Sequence, residues 1–97
     1  MSYSIIISPI AEEELFESAL WYNIRKTELG IEFINEVDNT LRDIILNPLQ
    51  FKTVYKNFRM ALTKRFPFEI FYTIDDDKIL VHHVFHASRN PKVWKKL

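Results

Sequence analysis

The apolar residues of this chain change their spacing once, and the change falls across a proline-marked boundary. Between Ser8-Pro9 and Asn47-Pro48 they recur every three or four positions, and from Phe58 onward they recur every second position. The first spacing buries one stripe of an α-helix, and the second buries one face of a β-strand. The helical part splits in two around Arg25-Lys26-Thr27. A first helix starts at Ser8, a capping residue, with Pro9 at the position where a missing N–H costs nothing. Glu12, Glu13 and Glu14 follow at the positive end of its dipole, and Leu15, Ala19 and Tyr22, flanked by Phe16 and Leu20, carry it to about Ile24. Thr27 and Gly30 mark the entry of a second helix, with Ile34, Val37, Leu41 and Ile44 or Ile45 as its apolar stripe. Pro48 ends it by disfavouring helical geometry at Asn47.

Before the helices, Ser4-Ile5-Ile6-Ile7-Ser8 is a short β-branched run and predicts a strand. After them, and after a connection over 49–57, three strands are expected. Residues 58–66 alternate Phe58, Met60, Leu62 and Phe66 against Arg59, Ala61, Thr63 and Arg65. Residues 68–74 alternate Phe68, Ile70, Tyr72 and Ile74 against Glu69, Phe71 and Thr73. Asp75-Asp76-Asp77 is a polar turn, and 78–87 return with Ile79, Val81, His83 and Phe85 against Leu80, His82, Val84 and His86. The order is β-α-α-β-β-β: a helical hairpin on one face of a mostly antiparallel sheet, the other face open. That open face is expected to display Arg59, Arg65, Glu69 and, depending on register, His82 and His86.

Composition bounds the rest. With 97 residues, 47% hydrophobic and 27% charged, the chain is expected to form a single globular domain over 1–97. Aromatic residues at 14% let so short a chain bury a core. Thirteen basic and thirteen acidic residues cancel, which disfavours nucleic-acid binding by bulk charge. No cysteine is present, so disulfides, thiolate metal sites and Cys nucleophiles are excluded, and a reducing compartment fits. No signal peptide and no membrane span is expected, and the location read from this is cytoplasmic.

Little of the usual chemistry of sites is present. A phosphate-cradling loop cannot be built with Gly30 alone, and no serine sits in a nucleophile elbow. On a strand, His82 and His86 stand ~13 Å apart, too far to share an ion. No metal and no cofactor is implied. What remains is a basic and aromatic set that includes Arg59, Lys64, Arg65, His86 and Arg89. Such residues can simply solubilise strand edges. Alternatively, Arg59, Arg65, His86 and Arg89 converge at one end of the open sheet face and grip an anionic partner, arginines being suited to bidentate contacts.

Four stretches resemble one known family. They are Ile7-Ser8-Pro9 with Ala11-Glu12-Glu13-Glu14-Leu15; Ala19-Leu20-Trp21-Tyr22 with Leu29-Gly30 and Phe33; Asn47-Pro48, Phe51, Val54-Tyr55, Arg59, Ala61-Leu62 and Arg65-Phe66-Pro67-Phe68; and Val84-Phe85-His86, Arg89, Pro91 and Trp94. In this order they resemble the RelE/ParE toxins of type II toxin–antitoxin modules, and the ParE-like branch in particular. The resemblance implies a bacterial growth inhibitor of the plasmid-stabilisation type, neutralised by a cognate antitoxin that folds around it. It implies no direct sequence-specific DNA binding by this chain.

Two targets follow from the two branches. ParE-like members poison DNA gyrase, whereas RelE-like members cleave mRNA on the ribosome with basic residues and often a C-terminal Tyr. Arg89 falls where RelE-like toxins place a catalytic Arg, and Lys64 lies close to a basic position. Glu69, however, replaces another catalytic Arg, and a carboxylate there repels the scissile phosphate. No Tyr follows Arg89, and Trp94 cannot act as a base. The expectation is therefore a binding toxin acting on DNA gyrase through Arg59, Lys64, Arg65, His86, Arg89 and Trp94. The alternatives are an mRNA endonuclease using Arg59, Arg65, His86 and Arg89, with His86 as base, and a non-toxic protein that only binds its antitoxin.

Overall fold

A computed structural model describes residues 2–88 of the chain. Strand β1 (Ser4–Ile7) leads into helix α1 (Pro9–Arg25), which is followed by helix α2 (Leu29–Leu46). A 3-10 turn at Pro48–Gln50 and a three-residue strand β2 (Thr53–Tyr55) occupy the connection expected to be irregular. Strands β3 (Phe58–Leu62), β4 (Phe68–Asp75) and β5 (Lys78–His86) complete a five-stranded sheet in the order β1-β5-β4-β3-β2. Only the β1–β5 pair is parallel; the others are antiparallel. The expected architecture, a helical hairpin on a mostly antiparallel sheet, is the one observed. None of the described helices is long and apolar enough to cross a membrane.

Local chemistry accounts for the helix boundaries. Ser8 Oγ accepts from the Ala11 N–H at 3.0 Å and donates to the His82 carbonyl at 3.0 Å, so one hydroxyl caps α1 and ties it to β5. The turn between the helices is tight because Gly30 has no side chain. A Cβ there would collide with the Ala19 carbonyl oxygen and lie 2.9 Å from Asn23 Oδ1, which accepts from the Gly30 N–H.

The core lies between hairpin and sheet. Tyr22 of α1 and Phe33 of α2 pack with Phe66 and Phe68, with ring centroids 4.6–5.8 Å apart in the Tyr22–Phe33, Tyr22–Phe66, Phe33–Phe66 and Phe33–Phe68 pairs. Val37, Leu41 and Ile44 continue the buried stripe of α2, and Ile70, Tyr72, Ile79, Val81 and Val84 meet it from the sheet. Ile34, expected in that stripe, is instead exposed; Phe33 takes its place one position earlier. Buried Tyr72 donates its hydroxyl to the Pro48 carbonyl at 2.6 Å. Loss of hydration pushes this phenol up to about 12, against a smaller opposing effect of the Arg59 charge.

Two face assignments are overturned. In β3, Arg59 pairs with Tyr72 and Ala61 with Ile70, so Arg59 and Ala61 face the helices. Phe58, Met60 and Leu62 therefore point away from them. The smaller residue lies inward because α2 crosses β3 there, leaving Ala61 fully buried and no room for a larger side chain. Phe66 reaches the core by another route: its backbone has a positive φ of 57° in the β3–β4 loop, which turns it inward. In β5 a bulge opposite Phe71 and Tyr72 breaks the alternation. Val84 and His86 thus join Ile79 and Val81 on the helix side, while His83 and Phe85 face away.

Candidate functional site

The loop between β3 and β4 is held by acceptors at its base and side. Thr63 Oγ1 accepts from the Phe68 N–H at 3.0 Å and donates to the Phe66 carbonyl, closing the turn. Outside it, one carboxylate oxygen of Glu36 accepts the backbone N–H groups of both Lys64 and Arg65, each at 2.8 Å. One helical turn earlier, Glu32 meets the Arg65 guanidinium at 2.8 Å. That guanidinium also lies over the Phe66 ring, 4.5 Å from its centroid. The i,i+4 pair on α2 therefore fixes how this loop presents its two cations.

β5 ends beside the same loop. His86 is the register partner of Phe68, packs edge-on against its ring at 5.2 Å, and the next residue donates its N–H to the Pro67 carbonyl at 2.8 Å. His86 Nδ1 accepts from the Ser88 N–H at 3.2 Å. Lys64, Arg65 and His86 thus share one end of the sheet. Beside His86 a cleft of about 340 Å³ separates α1 from β5, with Glu14, Glu17 and Trp21 on one wall and Phe68 and Val84 on the other.

Arg59 does not belong to this group. Its guanidinium donates to the Phe51 carbonyl at 2.5 Å and the Leu49 carbonyl at 3.4 Å, on the helix side of the sheet. It braces the turn after α2 instead of facing a partner, because three backbone carbonyls of that turn, those of Pro48, Leu49 and Phe51, lack a helix to bond within and take Tyr72 and Arg59 as donors. The expected convergence of Arg59, Arg65 and His86 on an open sheet face is therefore not what the fold builds. Arg89 and Trp94 lie outside the described residues.

The sheet face turned away from the helices has a different character. It carries Phe58, Met60, Leu62, Phe71 and Phe85, with Glu69 opposite Leu62 and Phe85. Glu69 is held above the usual carboxylate range by desolvation. His82, on the bulge, bonds Thr73 Oγ1 through Nε2 at 2.8 Å and lies against the Phe58 ring at 5.0 Å. Burial and the neighbouring His83 push its ring toward the neutral form. Among the described residues of β3, β4 and β5, the cations are Arg59, turned inward, and Lys78, 3.6 Å from Asp77 at the far turn. No group of three or more His, Cys, Asp or Glu among the described residues could hold a metal ion.

Sequence reasoning missed Glu14 and Glu36. Glu14 closes the part of β5 that projects past β1: it accepts the Val84 N–H at 2.9 Å and meets His83 Nδ1 at 3.2 Å. In the sequence Glu14 is one of three consecutive glutamates that read as a dipole feature. Nothing local distinguishes it from Glu12 and Glu13. Also missed was a second apolar surface, on the outside of the hairpin, formed by Phe16, Leu20, Ile31 and Ile34. Its signal was present in the excess of apolar residues outside the core stripe of α1.

Comparison with known proteins agrees with the geometry. A family model described as the ParE toxin of type II toxin–antitoxin system, parDE, matches residues 5–91. No curated protein sequence matches the chain. Among solved structures, the fold is similar to the chromosomal ParDE toxin–antitoxin system from P. aeruginosa, with TM-score 0.76 at 12% identity, covering 88% of this chain and 96% of that one. It is similar to the RelBE2 toxin–antitoxin complex from Mycobacterium tuberculosis, with TM-score 0.63 at 16% identity over 89% of this chain and 99% of that one. E. coli toxin RelE, in the free state of a mutant, gives TM-score 0.60 at 13% identity over 98% and 93%. With its family match running through nearly the whole chain and its sheet and hairpin laid out as in these structures, the chain belongs to the ParE toxin family of type II toxin–antitoxin systems.

Proposed function

We propose that this ParE-type toxin arrests growth in the cytoplasm by binding a protein, DNA gyrase, and that a cognate antitoxin neutralises it. The observation that carries this reading is the character of the sheet face turned away from the helices. Phe58, Met60, Leu62 and Glu69 suit contact with a protein surface. A phosphodiester in flight needs cations aimed at its developing charge, and the described strands aim none there except Lys78 at the far turn. Lys64 and Arg65, in the loop at one end of the sheet, supply the polar rim of the contact, His86 joins it from the helix side of that end, and Arg89 and Trp94 follow in sequence. Arg59 is assigned a bracing role only.

The test is gyrase supercoiling in the presence of the purified chain. Inhibition is expected at micromolar protein, weakened at least severalfold by Leu62→Asp, which alters an exposed side chain without touching the core. Absence of inhibition removes gyrase as the target. A second reading keeps one specific support, the shared location of Lys64, Arg65 and His86: an mRNA endonuclease in which His86 takes the proton. Cleavage of mRNA on translating ribosomes, lost in His86→Ala and Arg89→Ala, would establish that reading instead.

A further inference from the structure

The cleft between α1 and β5 opens where the chain leaves the sheet. Ser8 meets the His82 carbonyl and Glu14 meets the Val84 N–H, so α1 advances along β5 toward His86. Glu14, Glu17, Ser18 and Trp21 recur at helical spacing and form one wall, a stripe of α1 ~10 Å long. Phe68, Val84 and His86 form the other, and the cleft encloses about 340 Å³. At its mouth the chain is pinned. The Ala87 N–H donates to the Pro67 carbonyl at 2.8 Å, and the Ser88 N–H donates to His86 Nδ1 at 3.2 Å.

The two walls ask different things of an occupant. The β-strand wall is mostly apolar. On α1 the Glu14 carboxylate is engaged by the Val84 N–H and by His83, whereas Glu17 is exposed and has no ion pair among the described residues. One helical turn further, Trp21 is 36% exposed, with the Arg25 guanidinium 3.3 Å from its ring centroid. The cleft therefore suits a large apolar side chain accompanied by a cation that lies nearer Glu17 than Arg25.

The sequence after Ser88 has this chemistry. Residues 89–97 place Trp94 and Val93 among Arg89, Lys92, Lys95 and Lys96. These are four of the thirteen basic residues, with none of the thirteen acidic ones, so the described residues carry an excess of four carboxylates. Trp94 stands six positions beyond Ser88, and that length of chain spans up to ~20 Å, enough to reach any point of the α1 stripe. We infer that the cleft is the seat of the chain's own segment 89–97, with Trp94 between Trp21 and Val84 and a neighbouring lysine on Glu17. A tethered segment competes at an effective concentration on the order of millimolar, whereas a segment of another molecule must first give up its translational freedom. Seating keeps Arg89 at the end of the sheet that carries Lys64, Arg65 and His86. Glu17, Trp21 and Trp94 are thus positioning residues for Arg89. The inference rests on the function proposed above only for what Arg89 then contacts.

The experiment is nuclear magnetic resonance on the full chain at low salt without any target, where the indole N–H groups of Trp21 and Trp94 give separate signals. Nuclear Overhauser contacts are expected from the Trp94 ring to Trp21 and to the Val84 methyl groups. The Trp94 indole N–H should exchange about tenfold more slowly, or slower still, than in the denatured chain. Glu17→Lys, at an exposed position, should remove most of that protection. Adding Lys92→Glu/Lys95→Glu/Lys96→Glu to it should restore the protection, a rescue that a merely structural Glu17 would not show. Trp94→Ala should leave the amides of 89–97 exchanging as in the denatured chain, while Trp94→Phe keeps most of their slowing. Absence of the Trp94 contacts, protection indifferent to Glu17→Lys, or contacts that vanish on dilution, as for a segment seated in a second copy, would each overturn the proposal. Whether gyrase is inhibited leaves these measurements unaffected, so the two readings fail separately.

Discussion

The two faces of the sheet are built from the same residue types and behave differently. On the helix side, aromatic rings interlock: Phe68, Phe66 and Tyr72 are buried against Tyr22, Phe33 and the turn after α2. On the far side, Phe58, Met60 and Leu62 are partly or largely exposed, while Phe71 on the central strand β4 is fully buried. The difference teaches that apolar character in a strand says how much surface wants cover, not which element covers it. β3 shows this most directly. Its large residues look outward, and its inward positions are an alanine and an arginine, because a crossing helix needs a small residue and an unfinished turn needs a donor.

The largest effect is expected from placing the same charge on either face. Tyr72→Asp puts a carboxylate into a site from which water is excluded and orphans the Pro48 carbonyl. The cost is about 4 kcal/mol or more, a large part of the roughly 5–15 kcal/mol that holds a small domain folded. Chemical denaturation should show loss of the cooperative transition. Leu62→Asp, on the outward face and 53% exposed, should retain a transition within about 1 kcal/mol of the parent. Equal damage from both would mean that the outward face is as thoroughly packed as the inward one.

A smaller effect tests the hairpin that separates the core from the outer apolar surface. Gly30→Ala brings a methyl against the Ala19 carbonyl oxygen, which belongs to the backbone of α1 and cannot rotate away. Alanine favours helix by ~1 kcal/mol over glycine, but the clash forces the helices apart, and overpacking of this kind costs typically about 1–3 kcal/mol. A net loss of stability is expected, measurable as a lower denaturation midpoint. A gain would mean that the helices are free to separate.

The sequence disclosed the elements more readily than their orientation. Ser8-Pro9 and Asn47-Pro48 carry their own physics, since a cap and a missing N–H act within one turn of chain; α1 and α2 therefore begin and end where expected. The face of β4 was legible because Phe68, Ile70, Tyr72 and Ile74 outnumber their neighbours in bulk. The face of β3 was not: Phe58, Met60 and Leu62 form the stronger apolar set, and only the path of α2 decides against them. The bulge at His82 was equally hidden, because an inserted residue leaves no mark on composition yet exchanges His83 for Val84 on the core side. Of the candidate site, Lys64, Arg65 and His86 share one end of the sheet, whereas the anchoring roles of Glu32 and Glu36 depend on contacts between residues 28 or more positions apart.

The smallest expected effect concerns Glu69 and separates the faces by pH. Desolvation raises its pKa in the folded chain above the unfolded value, so the folded state holds its proton more tightly. The stability it contributes is then fully present in acid, below the ordinary carboxylate range, and is lost as pH rises through the raised folded value. Glu69→Gln is neutral throughout and escapes that loss. The variant should melt higher than the parent at pH 7, by about 2 °C or less because the group is partly hydrated, and the difference should vanish toward pH 3. His82 works in the opposite sense: its depressed pKa makes stability fall as pH drops below the usual imidazole range. It is present in both proteins and cancels from the comparison. A melting difference that stays constant from pH 3 to pH 7 would show that Glu69 contributes through packing against Leu62 and Phe85, and that the outward face does not desolvate it.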